Sequence, residues 1–344
     1  MKKLIIFCLS FLLVFLPVPI LGMYSQNKFF DLSIFNYSYS LYNLGISSNK
    51  GNVILGDNGW MFLGDNYNSV FKKSLSTYTA PIKLIADNDK FLNQLEVISK
   101  ENNANFEFIV FPNKHSIYGE NIGLDTKVHS YSFFNKRRLS NVNMISYFRD
   151  IKNKSNYDLY FRTDTHWNDF GAFYGYQYIM SNTLNGKYKK LPDTINFNKV
   201  EDKGGDLARF LNLQNIAVDQ NVSVVDSFVD KVIRINLKTN QVSNEGIAGK
   251  INNSEIKVPI KIVNENALNS LKVLWLHDSF GRAMSSYMHL TFTEVTHQHY
   301  NYAFQDEFAF KKLVSDVKPN VIILSVVERN YLIFDKYLGW NSND

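Results

Sequence analysis

Residues 320–328, NVIILSVVE, are almost continuously apolar. A strand with one wet face alternates apolar and polar side chains, whereas a run without alternation is covered on both faces. This stretch therefore reads as a central strand of a sheet that carries helices above and below. Runs of the same kind recur at 106–111 (FEFIVF) and 272–276 (KVLWL), with a strand-like TEVTHQHY at 293–300. Between them the apolar spacing is helical. Residues 82–100 carry apolar side chains at 85, 92, 95 and 98, and 139–150, roughly 169–184, and 308–317 read as further helices. Alternating helices and buried strands predict an α/β domain with a mainly parallel sheet. YDLYF at 157–161 is expected to be another strand of that sheet. GNVILGDNGWMFLGD at 51–65 has the composition of a β-hairpin turning at Asp57-Asn58-Gly59. Residues about 219–264 are polar, Val/Ile/Asn-rich and without helical periodicity, and are expected to form a β-rich insertion.

The beginning of the chain sets its topology. Lys2-Lys3 is followed by an apolar run from Leu4 to Gly22, the order of an export signal. Ile20 is a poor residue three positions before a cut at Gly22, and the run is nearly long enough to span a bilayer, although Pro17 and Pro19 would bend it. Residues 1–22 are thus expected to be a signal peptide or, preferably, an uncleaved signal anchor in the inner membrane. A polar connector at 23–50 and one domain over 51–344 follow. Positive charges stay inside, so the body is exported, which predicts a periplasmic location.

Composition narrows the function. The net charge is +5, two units of which are Lys2 and Lys3, and the longest basic run is Lys136-Arg137-Arg138. Nucleic-acid binding needs a concentrated basic surface, so it is not expected. The lone cysteine, Cys8, lies in the leader, which excludes disulfides, Cys-ligated zinc and a Cys nucleophile from the exported part. The 20 tyrosines and 27 phenylalanines can build a large core or stack on sugar rings, the core being the more ordinary use.

In an open α/β sheet, ligands collect at the carboxyl ends of the strands. FPNK (111–114), RTDTHWN (162–168), HDSF (277–280) and ERNY (328–331) all follow expected strands. Ser279 sits where a strand turns into a helix, so its hydroxyl is directed into the crevice beside helix amides able to hold an oxyanion. A serine hydroxyl needs a base. His166 is the candidate, and Asp164, two residues earlier, can orient its second nitrogen. Each residue also has an ordinary reading: Ser279 as a helix cap, His166 as a loop hydrogen-bonder, Asp164 as an Asx turn. Their convergence on one sheet edge favours chemistry. Asp164, His166, His277, His297 and His299 could be drawn as a metal set. His289 through His299 read more simply as surface and edge residues, and neither metal nor cofactor is expected.

DTHWN (164–168) with downstream HDSFGR (277–282), upstream GDNGWMFLGD (56–65) and FPNK, and closing VVERNY (326–331) resemble the AlgX/AlgJ-like polysaccharide O-acetyltransferases of the SGNH-hydrolase-like superfamily. The resemblance spans roughly 51–340. It implies a flavodoxin-like core and acetyl transfer to hydroxyls of a bacterial polysaccharide. Ser279 would be the nucleophile, His166 the base and Asp164 the acid. It also implies a separate multi-spanning membrane acyltransferase as acetyl donor. The Asp-x-His spacing, and its place before the serine, depart from the broad SGNH esterases. Gly204 or Gly205 and Asn113 are candidates for the rest of the oxyanion hole. Trp167 and nearby tyrosines are candidate sugar platforms. Arg282 would meet an acidic sugar or, more simply, pair with Asp278; Lys114 and Tyr331 are further binding candidates. A carbohydrate esterase with the same triad, and a non-catalytic glycan-binding subunit of an export complex, are the competing readings.

Overall fold

The computed structural model describes residues 51–75, 78–124, 142–184, 186–225, 230–245, 250–252 and 255–341. The expected leader at 4–22 and the connector at 23–50 lie outside the described residues. Among the described residues, no helix is long and apolar enough to cross a membrane.

In chain order the main elements begin with the hairpin β1 (Val53–Leu55) and β2 (Met61–Leu63). Its turn uses Asn58 and Gly59 at φ 54° and 78°, a left-handed conformation that Asn and Gly tolerate best. Then come α1 (Ile82–Glu101), β3 (Asn105–Phe111), α2 (Val142–Lys154) and α3 (Asp169–Tyr178). β4 (Phe197–Lys203) and β5 (Val218–Val224) pair with each other as a separate antiparallel ribbon. β6 (Val232–Asn236), β7 (Gln241–Glu245), β8 (Ile260–Val263) and β9 (Asn269–His277) follow. The chain then forms α4 (Gly281–Thr291), β10 (Phe292–His299), α5 (Glu307–Val317) and β11 (Val321–Val327).

Seven strands form the central sheet in the order β3-β11-β9-β10-β8-β6-β7. The first four are mutually parallel. From β10 outward every pairing is antiparallel. The sheet is therefore mixed, and the expected β-rich segment at 219–264 supplies β6–β8, which widen it. Every residue of β11 is buried. Successive side chains point to opposite faces, so both faces need cover. Val273, Trp275, Ile323 and Val327 pack under Phe148 of α2, Phe173 and Tyr176 of α3, and Met284 and Met288 of α4. Leu274, Leu276, Ile322 and Leu324 pack under Phe91 and Leu95 of α1 and Phe310 and Val314 of α5. Each of these side chains contributes roughly 1.5–3 kcal/mol on leaving water.

Two expectations fail. Residues 157–161 do not join the sheet. The segment closes on itself: Asn168 N–H donates to the Leu159 carbonyl (3.1 Å), Phe161 N–H to the His166 carbonyl (3.3 Å), and the Asn168 amide to the Asp158 carbonyl (2.7 Å). Only a single bridge, Tyr160 to Trp167, is strand-like. The expected surface histidines of 289–299 also differ, because His289 and His297 are buried and only His299 is partly exposed. Both ring nitrogens of His297 are paired, one with His277 and one with His289, which is how buried polar groups are tolerated.

Candidate active site

Ser279 lies in the three-residue turn between β9 and α4. The buried Asp278 beside it fixes that turn. One carboxylate oxygen accepts from Phe280 N–H (3.0 Å); the other accepts from Val327 N–H (2.8 Å) at the end of β11 and from the Asn330 amide (3.3 Å). The Asp278 carbonyl accepts from Gly281 N–H and from His277 Nδ1. With Nδ1–H so used, His277 Nε2 accepts from His297 Nδ1–H (3.1 Å), and His297 Nε2 from His289 Nε2–H (2.7 Å). Burial lowers His277 to about 4 and holds His297 well below the ordinary range, so these two rings are neutral. The amides of Phe280 and Gly281 are thus committed. Ser279 N–H has no partner among the described residues.

His166 and Asp164 reach the same place from the loop that precedes α3. Asn168 caps that helix, accepting from Gly171 N–H (3.0 Å). Behind the loop, the buried Asp219 accepts from Arg162 N–H, Thr163 N–H and the Thr163 hydroxyl at 2.6–2.9 Å. The Thr163 hydroxyl accepts from Gly205 N–H, and the Thr163 carbonyl from the amides of Leu207 and Ala208. These side-chain and backbone bonds therefore fix a loop that is not itself part of the central sheet.

The result is an unbroken line of hydrogen bonds. Ser279 Oγ lies 2.7 Å from His166 Nε2, and His166 Nδ1 lies 2.6 Å from Asp164 Oδ1. Asp164 also accepts from His166 N–H (2.9 Å) and, at its other oxygen, from Asp206 N–H (2.8 Å). Burial alone would raise the Asp164 carboxyl. The His166 ring and these two amides outweigh it and hold the group well below the usual carboxylate range. About a quarter of the His166 side chain and about a fifth of Asp164 remain exposed (25% and 22%), so the line is reachable from solvent. The arrangement can take a proton from a hydroxyl at Ser279 and stabilise the imidazolium that results.

The other candidates are placed elsewhere. Trp167 is 1% exposed, wedged against Phe111, Phe148 and Phe280, with its indole N–H on the Phe280 carbonyl (2.9 Å). It cannot stack on a sugar; it ties the Asp164/His166 loop to the Ser279 turn. Gly175 of α3 exists for this ring, since a Cβ there would stand 2.8 Å from the indole. Lys114 is buried and donates to the carbonyls of Met61, Phe161 and Arg162. Burial lowers it to about 8 despite the pull of Asp219, Asp164 and Asp206. It braces the loop from below rather than contacting ligand. Asn113 is buried, its N–H on Glu328 and its Oδ1 accepting from Arg329. Gly205 is no oxyanion donor, because its N–H is on Thr163; a Cβ at this position would lie 2.3 Å from that of Asp164. Arg282 reaches the Ile251 carbonyl (3.4 Å) rather than Asp278, whose oxygens are taken. Tyr331 is buried against Phe108 on the far face of the sheet.

The positioning roles of three aspartates were not expected from the sequence: Asp206, Asp219 and Asp278, the last named only as a partner for Arg282. Asp206 accepts from Thr165 N–H (2.7 Å) and the Thr165 hydroxyl (2.6 Å), and its Oδ2 lies 3.8 Å from His166 Nδ1. Asp164, His166 and Asp206 are the residues, among those described, whose atoms converge closely enough for a cation. Their lone pairs already accept from the amides and hydroxyl named above. The two glycines before Asp206 were the available signal, since a tight glycine approach marks a crowded site.

The mixed, mostly parallel sheet with helices on both faces is an SGNH-hydrolase-like α/β fold. The family described as "SGNH hydrolase-like domain, acetyltransferase AlgX" matches residues 53–238, and the chain belongs to that acetyltransferase family. No curated protein matches. Among solved structures, Bacillus cereus PatB1 is similar at 20% identity and a TM-score of 0.56, over 81% of this chain and 97% of that one. A second PatB1 structure, with a sulfonyl adduct, is similar at 21% identity and 0.55, with the same coverage. A DHHW family protein from Eubacterium siraeum is similar at 16% identity and 0.54, over 84% and 95% of the two chains. At these identities the likeness is one of fold.

Proposed function

We propose that this protein moves acetyl groups onto hydroxyls of an exported bacterial polysaccharide through an acetyl-serine at Ser279. The observation that carries the reading is the Ser279–His166–Asp164 line, with both links at hydrogen-bond distance. Membership in an acetyltransferase family supports it.

In the first half-reaction Ser279 Oγ attacks the acetyl carbonyl of the donor, and its proton passes to His166 Nε2. The tetrahedral oxyanion is met by the Ser279 N–H, which has no partner among the described residues. Collapse breaks the bond to the donor's leaving group, which takes the proton from His166. In the second half, a sugar hydroxyl gives its proton to His166 and attacks the acetyl-serine. The Oγ–acetyl bond breaks, and Ser279 recovers the proton. Asp164 keeps His166 in the tautomer with Nδ1 protonated throughout, so Nε2 is free to accept. Hydrolysis is the same second step with water; transfer wins where the sugar is held and water is not. The donor acetyl comes from a separate multi-spanning membrane acyltransferase, and the protein works in the periplasm, held at the inner membrane by residues 4–22.

A sulfonyl adduct has been captured on PatB1, which makes a small sulfonyl fluoride the probe of choice. Such a reagent should modify this protein once, at Ser279, with the rate falling at least 100-fold in His166→Ala. Modification at another residue, or an undiminished rate in His166→Ala, refutes the assignment.

A further inference from the structure

Beside Ser279 the surface opens into a cleft of roughly 650 Å³, walled by Lys257, Asn301, Tyr302, Gln305 and Lys336 among others. No aspartate or glutamate lines it. Lys257 follows the buried Ile256 in the chain segment that leads into β8, and Lys336 lies in the C-terminal segment after β11. The two cations thus come from opposite ends of the domain's second half and meet over one serine. Lys336 is held in place: its Nζ donates to Asn301 Oδ1 (3.2 Å) and stands 4.8 Å from the centre of the Tyr337 ring. Partial burial lowers its pKa, and Asp335 only partly offsets this. No carboxylate lies within ion-pair distance of either lysine among the described residues. The nearest acids of the site are used inward: Asp278 on the backbone of the turn, Asp164 on His166. Tyr302 presents an exposed ring at 39%.

Like-signed ammonium groups repel, and keeping two around a carboxylate-free cleft is useful when a ligand brings the missing charge. An aromatic face and side-chain amides suit sugar rings and hydroxyls. The geometry points to an acceptor subsite for an anionic glycan: Lys257 and Lys336 bind a carboxylate or phosphate on the polymer while Tyr302 carries a neighbouring ring, setting a sugar hydroxyl against acetyl-Ser279. The inference rests on the acetyl-serine reading for its chemistry but not for its binding claim.

Two experiments separate these. In the first, Ser279→Ala protein is titrated with a uronic-acid oligosaccharide, a phosphodiester-linked oligosaccharide and a neutral one of equal length. At least one charged ligand should bind, about tenfold more tightly than the neutral one, the scale of two partly exposed ion pairs. Which charged ligand wins tells carboxylate from phosphate. The preference should disappear in high salt and in a Lys257→Gln/Lys336→Gln variant of the same protein. Equal binding of all three ligands, no binding at all, or a preference that survives both lysine changes overturns the subsite. In the second, wild-type protein receives an activated acetyl ester and the preferred acceptor. The lysine changes should raise KM for the charged acceptor about tenfold while kcat changes less than KM. A fall confined to kcat contradicts the binding role. Failure to acylate Ser279 sinks the acetyl-serine reading and leaves the binding result standing.

Discussion

Asp164 is not alone beside His166. Asp206 places a second carboxylate oxygen 3.8 Å from Nδ1 and, through its own N–H, steadies Asp164. Asp206→Asn should lower kcat for acetyl-ester turnover about tenfold with KM little changed, whereas Asp164→Asn should cost about 10³-fold or more, because it also releases the tautomer. Equal losses would mean that Asp206 supports His166 as much as Asp164 does, and an unchanged kcat that it acts on folding alone. Gly205→Ala tests the same contact sterically. Its Cβ would fall 2.3 Å from that of Asp164, so the carboxylate must move, and turnover should fall at least tenfold for a stability loss of about 1–3 kcal/mol. That Ser279, His166 and Asp164 converge was legible, because strand-turn-helix placement and the Asp-x-His pair are local patterns. Asp206, Asp219 and Asp278 were not, since each acts across at least 40 residues or through its own backbone turn, where sequence spacing carries no signal. Trp167, Lys114, Asn113 and Tyr331 were misassigned for one reason: polar or aromatic residues near a motif were read as facing ligand when they hold the motif from behind.

At the scale of elements, the loop at 159–168 does what a strand was expected to do. Its anchors are side chains, so single substitutions should loosen it. Lys114→Met leaves the carbonyls of Met61 and Phe161 without their side-chain donor, while the Arg162 carbonyl still accepts from Met61 N–H. Each unsatisfied group costs about 1–3 kcal/mol, so thermal unfolding should show a loss of about 2 kcal/mol or more. A neutral result would mean that water replaces the ammonium. The strands and helices were more legible than this loop: β3, β9, β10, β11 and α1, α3 and α5 follow from apolar periodicity. Residues 157–161 have the composition of a strand, but Asn168 captures two of their carbonyls, a tertiary choice that periodicity does not register.

For the molecule as a whole, the buried titratable groups fix how stability depends on pH. Burial lowers His115 to about 3 and His277 to about 4 from an ordinary 6.5. Their folded values lie below their unfolded ones, so the unfolded chain binds more protons under acid, and stability is lost as pH falls below 6.5. Glu328 has the opposite sign. Burial raises it from 4.5 to about 7, against hydrogen bonds from Ser116 and Asn113 that lower it. Here the folded state holds the proton more tightly, so its contribution is present below 4.5 and lost as pH rises to 7. Glu328→Gln should therefore raise Tm relative to the wild type more at pH 8 than at pH 5; a constant difference would contradict the buried, proton-holding carboxyl. The sheet's mixed character was likewise a property of the whole. The parallel half is visible as unbroken apolar runs, while β6–β8, more polar and shorter, gave composition without direction.

The most direct test of the account is the fate of one acetyl group. Wild-type protein is mixed with an activated acetyl ester, quenched within the first turnover, and mapped by mass spectrometry. A parallel sample is chased with acceptor oligosaccharide before quenching. The account predicts one acetyl group on Ser279, absent in Ser279→Ala and slowed at least 100-fold in His166→Ala, which leaves the protein and appears on the oligosaccharide during the chase. An acetyl group that never resides on Ser279 while the oligosaccharide still becomes acetylated would contradict it.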